Sequence, residues 1–160
     1  MTACRTIGSG VGRVQVRADD LAVREVRFLE PEHDAPDAGS SVVLDEAVRE
    51  LRAYFAGDLR RFTVPAMPVG TPFQQRVWAA LQEIPFGETR SYADLARQLG
   101  TPAAVRAVGG ANGRNPVAIL VPCHRVIGSD GTLTGYAGGL DRKRWLLAFE
   151  RGLVQAPAPG

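Results

Sequence analysis

The sequence predicts two parts: a small α/β unit at the N-terminus, built as an antiparallel sheet plus a helix, and a mainly helical domain containing a helix-turn-helix. Three observations lead there. Val14 to Val16 and Leu21 to Phe28 alternate loosely between apolar and polar residues, the period of strands, around a turn at Ala18-Asp19-Asp20. Two helix starts with side-chain caps then follow, at Thr71 and Ser91. The second of these helices is separated from a third by Gly100-Thr101-Pro102, a short glycine-containing turn of the kind that joins helix-turn-helix pairs.

In chain order, Glu30 to Ser41, with Pro31, Pro36 and Gly39, reads as loop. Leu44, Val48, Leu51 and Phe55 recur at helical spacing, and Gly57 supplies a stop. Arg61 to Gly70, with Pro65 and Pro68, is connecting chain. It divides the protein into an N-terminal domain at 1–66, a linker at 67–70, a second domain at 71–153 and a tail at 154–160. Thr71 caps a helix with Pro72 at its first position and Gln74 completing a capping box. Phe73, Val77, Trp78 and Leu81 form its apolar face, and Pro85 with Gly87 ends it. Ser91 and Asp94 open the next helix, Leu95 and Leu99 lie on one side of it, and Gly100 closes it. A third runs from Thr101-Pro102 through Ala103, Val105, Arg106 and Val108. Ala104, Ala107, Gly109, Gly110 and Ala111 leave this helix almost bare, which suits close approach to another surface, either a ligand or a neighbouring helix.

Composition narrows the class. With 45% hydrophobic and 22% charged residues among 160, the chain is of ordinary globular make-up. It shows neither a secretory signal nor an apolar run long enough for a membrane, so a cytoplasmic protein with no membrane partner is expected. Residues 1–70 carry 9 Arg against 11 Asp and Glu, while residues 71–160 carry 10 Lys and Arg against 6. The excess positive charge of the second part fits a phosphate backbone, and equally a solvated face. Cys4, Cys123, His33 and His124 lack the spacing of a zinc site, so neither metal nor cofactor is expected.

The chemistry centres on Cys123. Val117 to Val121 reads as a buried strand after Asn115-Pro116, and it runs into Pro122-Cys123-His124-Arg125-Val126. A nucleophilic cysteine needs a basic neighbour and partial access. Side chains adjacent on an extended backbone point apart, so His124 is expected to reach the thiol through a water, which suffices for general-base action. A glycine-rich loop, Gly128 to Gly139, carries Tyr136. Asp141 then caps a last helix with Trp145, Leu146 and Phe149, near whose end Glu150 is placed to orient His124.

Taken together, Thr71 to Arg151 resembles the catalytic half of the O6-alkylguanine-DNA alkyltransferases (methylated-DNA–protein-cysteine methyltransferases). The resemblance rests on Ile119 to Ile127 around the cysteine and on Arg106-Ala107-Val108-Gly109-Gly110-Ala111 followed by Asn115-Pro116. Phe86-Gly87-Glu88 with Ser91-Tyr92, and Gly135-Tyr136 with Gly138-Gly139-Leu140, add to it. It implies a ribonuclease H-like N-terminal domain and a winged-helix-like second domain. It further implies irreversible, once-only transfer of an alkyl group from guanine O6, and from thymine O4, to Cys123. His124 would act as base through water, Glu150 would orient it, Asn115 would hold the hinge, and Tyr92 would donate to guanine N3. Arg106 would fill the gap left by a flipped nucleotide. Ala104, Ala107, Gly109, Gly110 and Arg125 would meet double-stranded DNA at its minor groove. Tyr136, Ala137, Gly138, Val126, Ala118 and Pro122 would line the base pocket. A monomer is implied, with clustering on DNA left open.

The chain departs from the family at three places. Ala137 stands where many members have Ser or Gly, which costs little if the backbone N–H does the binding; Ala118 stands where animal members have Pro, so the pocket wall there would admit bulkier alkyl groups. The zinc ligands of some animal members are missing. Two other readings compete: a non-catalytic lesion-recognition module of the same fold, which would lack the cysteine, and a cysteine hydrolase, which would need a remote histidine facing the thiol.

Overall fold

The computed structural model describes residues 2–154. Three strands, β1 (Ala3–Ile7), β2 (Val14–Ala18) and β3 (Val23–Phe28), form an antiparallel sheet in that order. The turn between β2 and β3 is set by Asp19, whose Oδ1 accepts from the backbone N–H groups of Leu21 and Ala22, both at 2.9 Å. The strand therefore resumes at Val23, and Leu21, expected within it, is an exposed turn residue. β1 is the strand that periodicity did not find. It is only five residues long, and its outer edge is covered by the loop before the first helix through paired Cys4 and Ala38 backbones.

Helix α1 (Val42–Phe55) packs its Leu44, Ala47, Val48 and Leu51 onto the sheet, with Ser41 as cap and Gly57 turning the chain at φ +85°. Helices α2 (Pro72–Leu81) and α3 (Tyr92–Gln98) carry the expected capping boxes, Thr71 with Gln74 and Ser91 with Asp94. α2 ends at Leu81, sooner than Pro85 suggested. Helix α4 (Val105–Gly113) begins four residues later than expected, because Thr101 to Ala104 close into a turn and no side chain caps the helix start. Trp78 of α2 locks onto α4, donating its indole N–H to the Ala111 carbonyl at 2.8 Å while fully buried. Two short strands, β4 (Arg90–Ser91) and β5 (Val126–Ile127), pair in parallel. Helix α5 (Leu140–Glu150) starts after Gly139 at φ +91°. Asp141 lies in its first turn, paired with Arg144, and does not cap it.

The expected strand at Val117–Val121 is not one. Only Val117 bridges to a strand, and the chain coils through Ala118 to Leu120 with Ile119 at φ +72°, a region that β-branched residues rarely enter. The apolar run is explained by burial, since all five residues are in the core. Asn115 folds it: its side-chain amide donates to the carbonyls of Val117 at 3.3 Å and Val121 at 2.7 Å, and its Oδ1 accepts from the Val117 N–H at 3.0 Å.

The two parts share one continuous core, and β3 joins them through its free edge. Val23 bonds to Pro65 and Met67, so part of the expected linker is strapped to the sheet. Val26 accepts from the Ala118 N–H at 3.1 Å and donates to the Pro116 carbonyl at 3.0 Å. Of the expected tail, only Val154 falls within the described residues, where it packs against the core. Among those residues no helix is long and apolar enough to cross a membrane, and no three His, Cys, Asp or Glu side chains converge as a metal site would require.

Candidate functional site

Cys123 opens a 3-10 turn, Cys123–Arg125, so the backbone here is coiled rather than extended. The following two side chains point inward: His124 is fully buried and Arg125 nearly so. Both converge on Glu150 at the end of α5. Glu150 Oε2 lies 2.8 Å from His124 Nε2, while Arg125 donates from Nε to Oε1 and from Nη2 to Oε2, each at 2.8 Å. Tyr54 of α1 donates its hydroxyl to Oε2 at 2.6 Å. Arg125 is completed by an Nη1 bond to the Ile84 carbonyl at 2.7 Å and by the Phe86 ring 5.8 Å away. Arg125, expected at the DNA, is thus an interior residue with its donors already taken.

Burial by itself would raise the Glu150 pKa, but bonds from His124 and Arg125 outweigh it and hold the carboxyl below the usual carboxylate range. An ionised carboxylate only accepts, so His124 must present Nε2–H to it and keep the Nδ1 lone pair bare. Nδ1 is buried and has no hydrogen-bond partner among the described residues. Burial holds the imidazole pKa below its ordinary value against the pull of Glu150. It is therefore neutral, and a base, at physiological pH.

The thiol behaves differently from what its basic neighbours suggested. Burial pushes the Cys123 pKa up, with Asn115 and the charge of Lys143 pulling the other way. No hydrogen bond joins Sγ directly to His124. The resting group is a thiol that must lose its proton during reaction. Lys143 is fully buried, donates to the Thr134 carbonyl at 2.9 Å and lies 5.8 Å from the Tyr92 ring. Its own pKa is lowered by burial.

Cys123 lines a cavity of about 190 Å³ with Asn112, Asn115, Ala118, Tyr136, Ala137 and Gly138, among others. Tyr136 Oη is buried there without a partner among the described residues. Val126 and Pro122, expected in this pocket, do not line it: Val126 sits buried in β5, and Pro122 faces a separate cleft beside Arg60 and Arg61. An open depression adjoins the cavity, lined by Tyr92, Gly109, Gly110, Thr134 and Gly135 and sharing Gly113, Tyr136 and Ala137 with it. Tyr92 donates to the Thr134 carbonyl at 3.2 Å. On α4, Arg106, Ala107 and Gly110 are exposed and Gly109 is half-buried, while Ala104 stands at the helix's uncapped start.

Sequence reasoning missed Tyr54, Asn112, whose amide donates to the Cys123 carbonyl at 3.3 Å, and Phe28, which lines the cavity from β3. Tyr54 and Phe28 reach the site from a distant part of the chain and leave no local signal, whereas Asn112 lies on α4 between the Arg106–Ala111 block and Asn115 and was passed over.

Residues 72–152 match the family model described as 6-O-methylguanine DNA methyltransferase, DNA binding domain. The methylated-DNA–protein-cysteine methyltransferase of Mycolicibacterium paratuberculosis is 49% identical over 154 residues, covering 94% of this chain and 93% of that protein. The chain belongs to the methylated-DNA–protein-cysteine methyltransferase family. The enzyme of that name from Methanosarcina acetivorans is also 49% identical, over 89% of this chain and 94% of its own. Among solved structures, Mycobacterium tuberculosis OGT in complex with DNA is similar at a TM-score of 0.85 and 50% identity, covering 95% of this chain and 94% of that one.

The buried junction gives a prediction with a definite sign. A carboxylate whose folded pKa is depressed stabilises fully above its unfolded value, and that stabilisation is lost as pH falls towards the folded one. Glu150→Gln leaves Arg125 buried and unpaired, at a cost of about 3–5 kcal/mol at neutral pH. The melting-temperature gap between wild type and variant should be widest at neutral pH and shrink below about pH 4. A gap independent of pH would mean that Glu150 is not ionised in the fold.

Proposed function

We propose that this chain repairs alkylated DNA by direct reversal, taking the alkyl group from guanine O6, or thymine O4, onto Cys123 in one irreversible turnover. One observation carries the reading: Cys123 lines a partly enclosed cavity and is followed by a neutral histidine whose free nitrogen is kept basic by an ionised glutamate. His124 takes the thiol proton through a water. Sγ attacks the alkyl carbon in line, the S–C bond forms, and the C–O6 bond breaks with its electron pair going to guanine. Tyr92, released from Thr134, offsets the charge developing on the base by donating to N3. The base collects its proton from solvent, and a thioether, which no thiol exchange reverses, remains on Cys123.

A base within a duplex cannot reach a buried thiol, so the nucleotide rotates out of the stack. Helix α4, bare at Gly110 and Ala107, suits the narrow minor groove of double-stranded DNA, where contacts carry little sequence information. Arg106 is exposed on this face and takes the place of the flipped base. Residues 71–153 act as a winged-helix-like DNA-binding unit supported by a ribonuclease H-like N-terminal part, and the chain works as a monomer in the cytoplasm. A lesion-recognition module without chemistry has no use for the cysteine and its base.

Incubated with an excess of O6-methylguanine duplex, the protein should remove one lesion per chain and stop. Continued turnover would overturn suicidal transfer, and no removal by folded, reduced protein would overturn transfer altogether. Arg106→Ala should slow repair in duplexes by about 10-fold or more, with a much smaller loss in single strands, because unstacking costs a few kcal/mol only in the duplex. Equal losses in both would remove the wedge role.

A further inference from the structure

The two adjoining cavities divide the substrate path. The open depression borders α4 through Gly109, Gly110 and Gly113, and it meets the Cys123 cavity at Gly113, Tyr136 and Ala137. On the function proposed above, a base entering from α4 passes Tyr136. Its O6 substituent, the part that must touch Sγ, then leads into the cavity beyond. That cavity is not closed by the catalytic half alone. Val26, Arg27 and Phe28, from β3 of the N-terminal sheet, form part of its lining.

Phe28 is held there on several sides. Its ring centroid lies 5.9 Å from that of Tyr136, tilted by 53°. The Arg142 guanidinium covers it at 5.3 Å and is itself fixed by bonds to the carbonyls of Val11 at 3.0 Å and Gly138 at 3.1 Å. Gly138 passes so near that a Cβ on it would come within 2.5 Å of Phe28 Cδ2. The glycine is needed because the phenyl ring occupies the space a side chain would take. The strand bearing Phe28 is bonded through Val26 to Pro116 and Ala118, the segment leading to Cys123. Wall and nucleophile therefore share one backbone frame, and the ring is packed between Tyr136, Arg142 and Gly138.

We propose that Phe28 is a specificity-determining residue: from the N-terminal sheet it limits the size of the O6 substituent that can be presented to Cys123. The small Ala118 leaves room in the same cavity, and Phe28 sets where that room ends. The N-terminal part is then a wall of the substrate site as well as a support for it.

The test compares single-turnover transfer from duplexes carrying O6-methylguanine or O6-benzylguanine in the same sequence. Phe28→Ala should raise the benzyl-to-methyl rate ratio by about tenfold, the scale on which a hydrophobic pocket discriminates by size. Phe28→Leu should raise it less, and Phe28→Trp should lower it. A ratio that stays at the wild-type value across the three, whatever happens to absolute rates or melting temperatures, would make Phe28 a structural prop and overturn the inference. If Phe28→Ala does not fold, the opposite shifts expected of Phe28→Leu and Phe28→Trp decide the matter. A wild-type protein that accepts neither group would overturn the proposed function along with it. One that accepts methyl normally while the ratio stays fixed overturns this inference alone.

Discussion

Taking a carboxylate out of water costs several kcal/mol unless its lone pairs are filled, and Glu150 is buried with four donor bonds from three residues. Those residues come from two places, Tyr54 from α1 and His124 with Arg125 from the turn that begins at Cys123, and Arg125 also reaches the Ile84 carbonyl after α2. The carboxylate thus ties the end of α5 to the N-terminal helix and to the nucleophile's own turn. Any shift of that turn would strand a buried charge. The position of Cys123 is held by electrostatics as much as by packing.

Burial decides the kind of nucleophile, and the carboxylate sets which imidazole nitrogen stays free. Had His124 been exposed and protonated, the pair would resemble a thiolate–imidazolium couple, reactive towards any electrophile. Burial instead keeps both partners neutral, the thiol by raising its pKa and the imidazole by lowering its own. The nucleophile is formed only when a substrate closes the cavity and the proton moves to Nδ1. For a protein that is spent by a single reaction, a thiol inert at rest avoids wasting molecules on adventitious alkylation. Lys143, buried beside the loop that carries Tyr136, adds a positive charge that favours the transient thiolate without pairing with it at rest.

Much of this was legible from the sequence where the deciding interactions are local. Thr71 with Gln74 and Ser91 with Asp94 announce their helices because a cap and its partner lie three residues apart. Cys123, His124 and Glu150 could be nominated because the chemistry demands a nucleophile, a base and an orienter, and the fold does bring His124 against Glu150. The failures are of another kind. An apolar run at Val117–Val121 looks the same whether it is a buried strand or a buried coil, and only the Asn115 amide, satisfying carbonyls at both ends, makes it a coil. Arg125 reads as a surface cation until its partner Glu150 is placed beside it. Tyr54 stands 96 residues from Glu150, and Phe28 enters from a half of the chain with no motif of its own. Long-range partners of this sort leave no spacing to read.

The claim on which the mechanism turns is the protonation state of His124: Nε2–H directed at an ionised Glu150 and Nδ1 bare. The direct measurement is the pair of ¹⁵N chemical shifts of the His124 imidazole in the resting protein, followed through neutral pH. The expected result is a neutral ring protonated at Nε2, with that state lost in Glu150→Gln if the variant remains folded. A ring protonated at Nδ1, or an imidazolium at neutral pH, would leave no base for the Cys123 thiol and would contradict it.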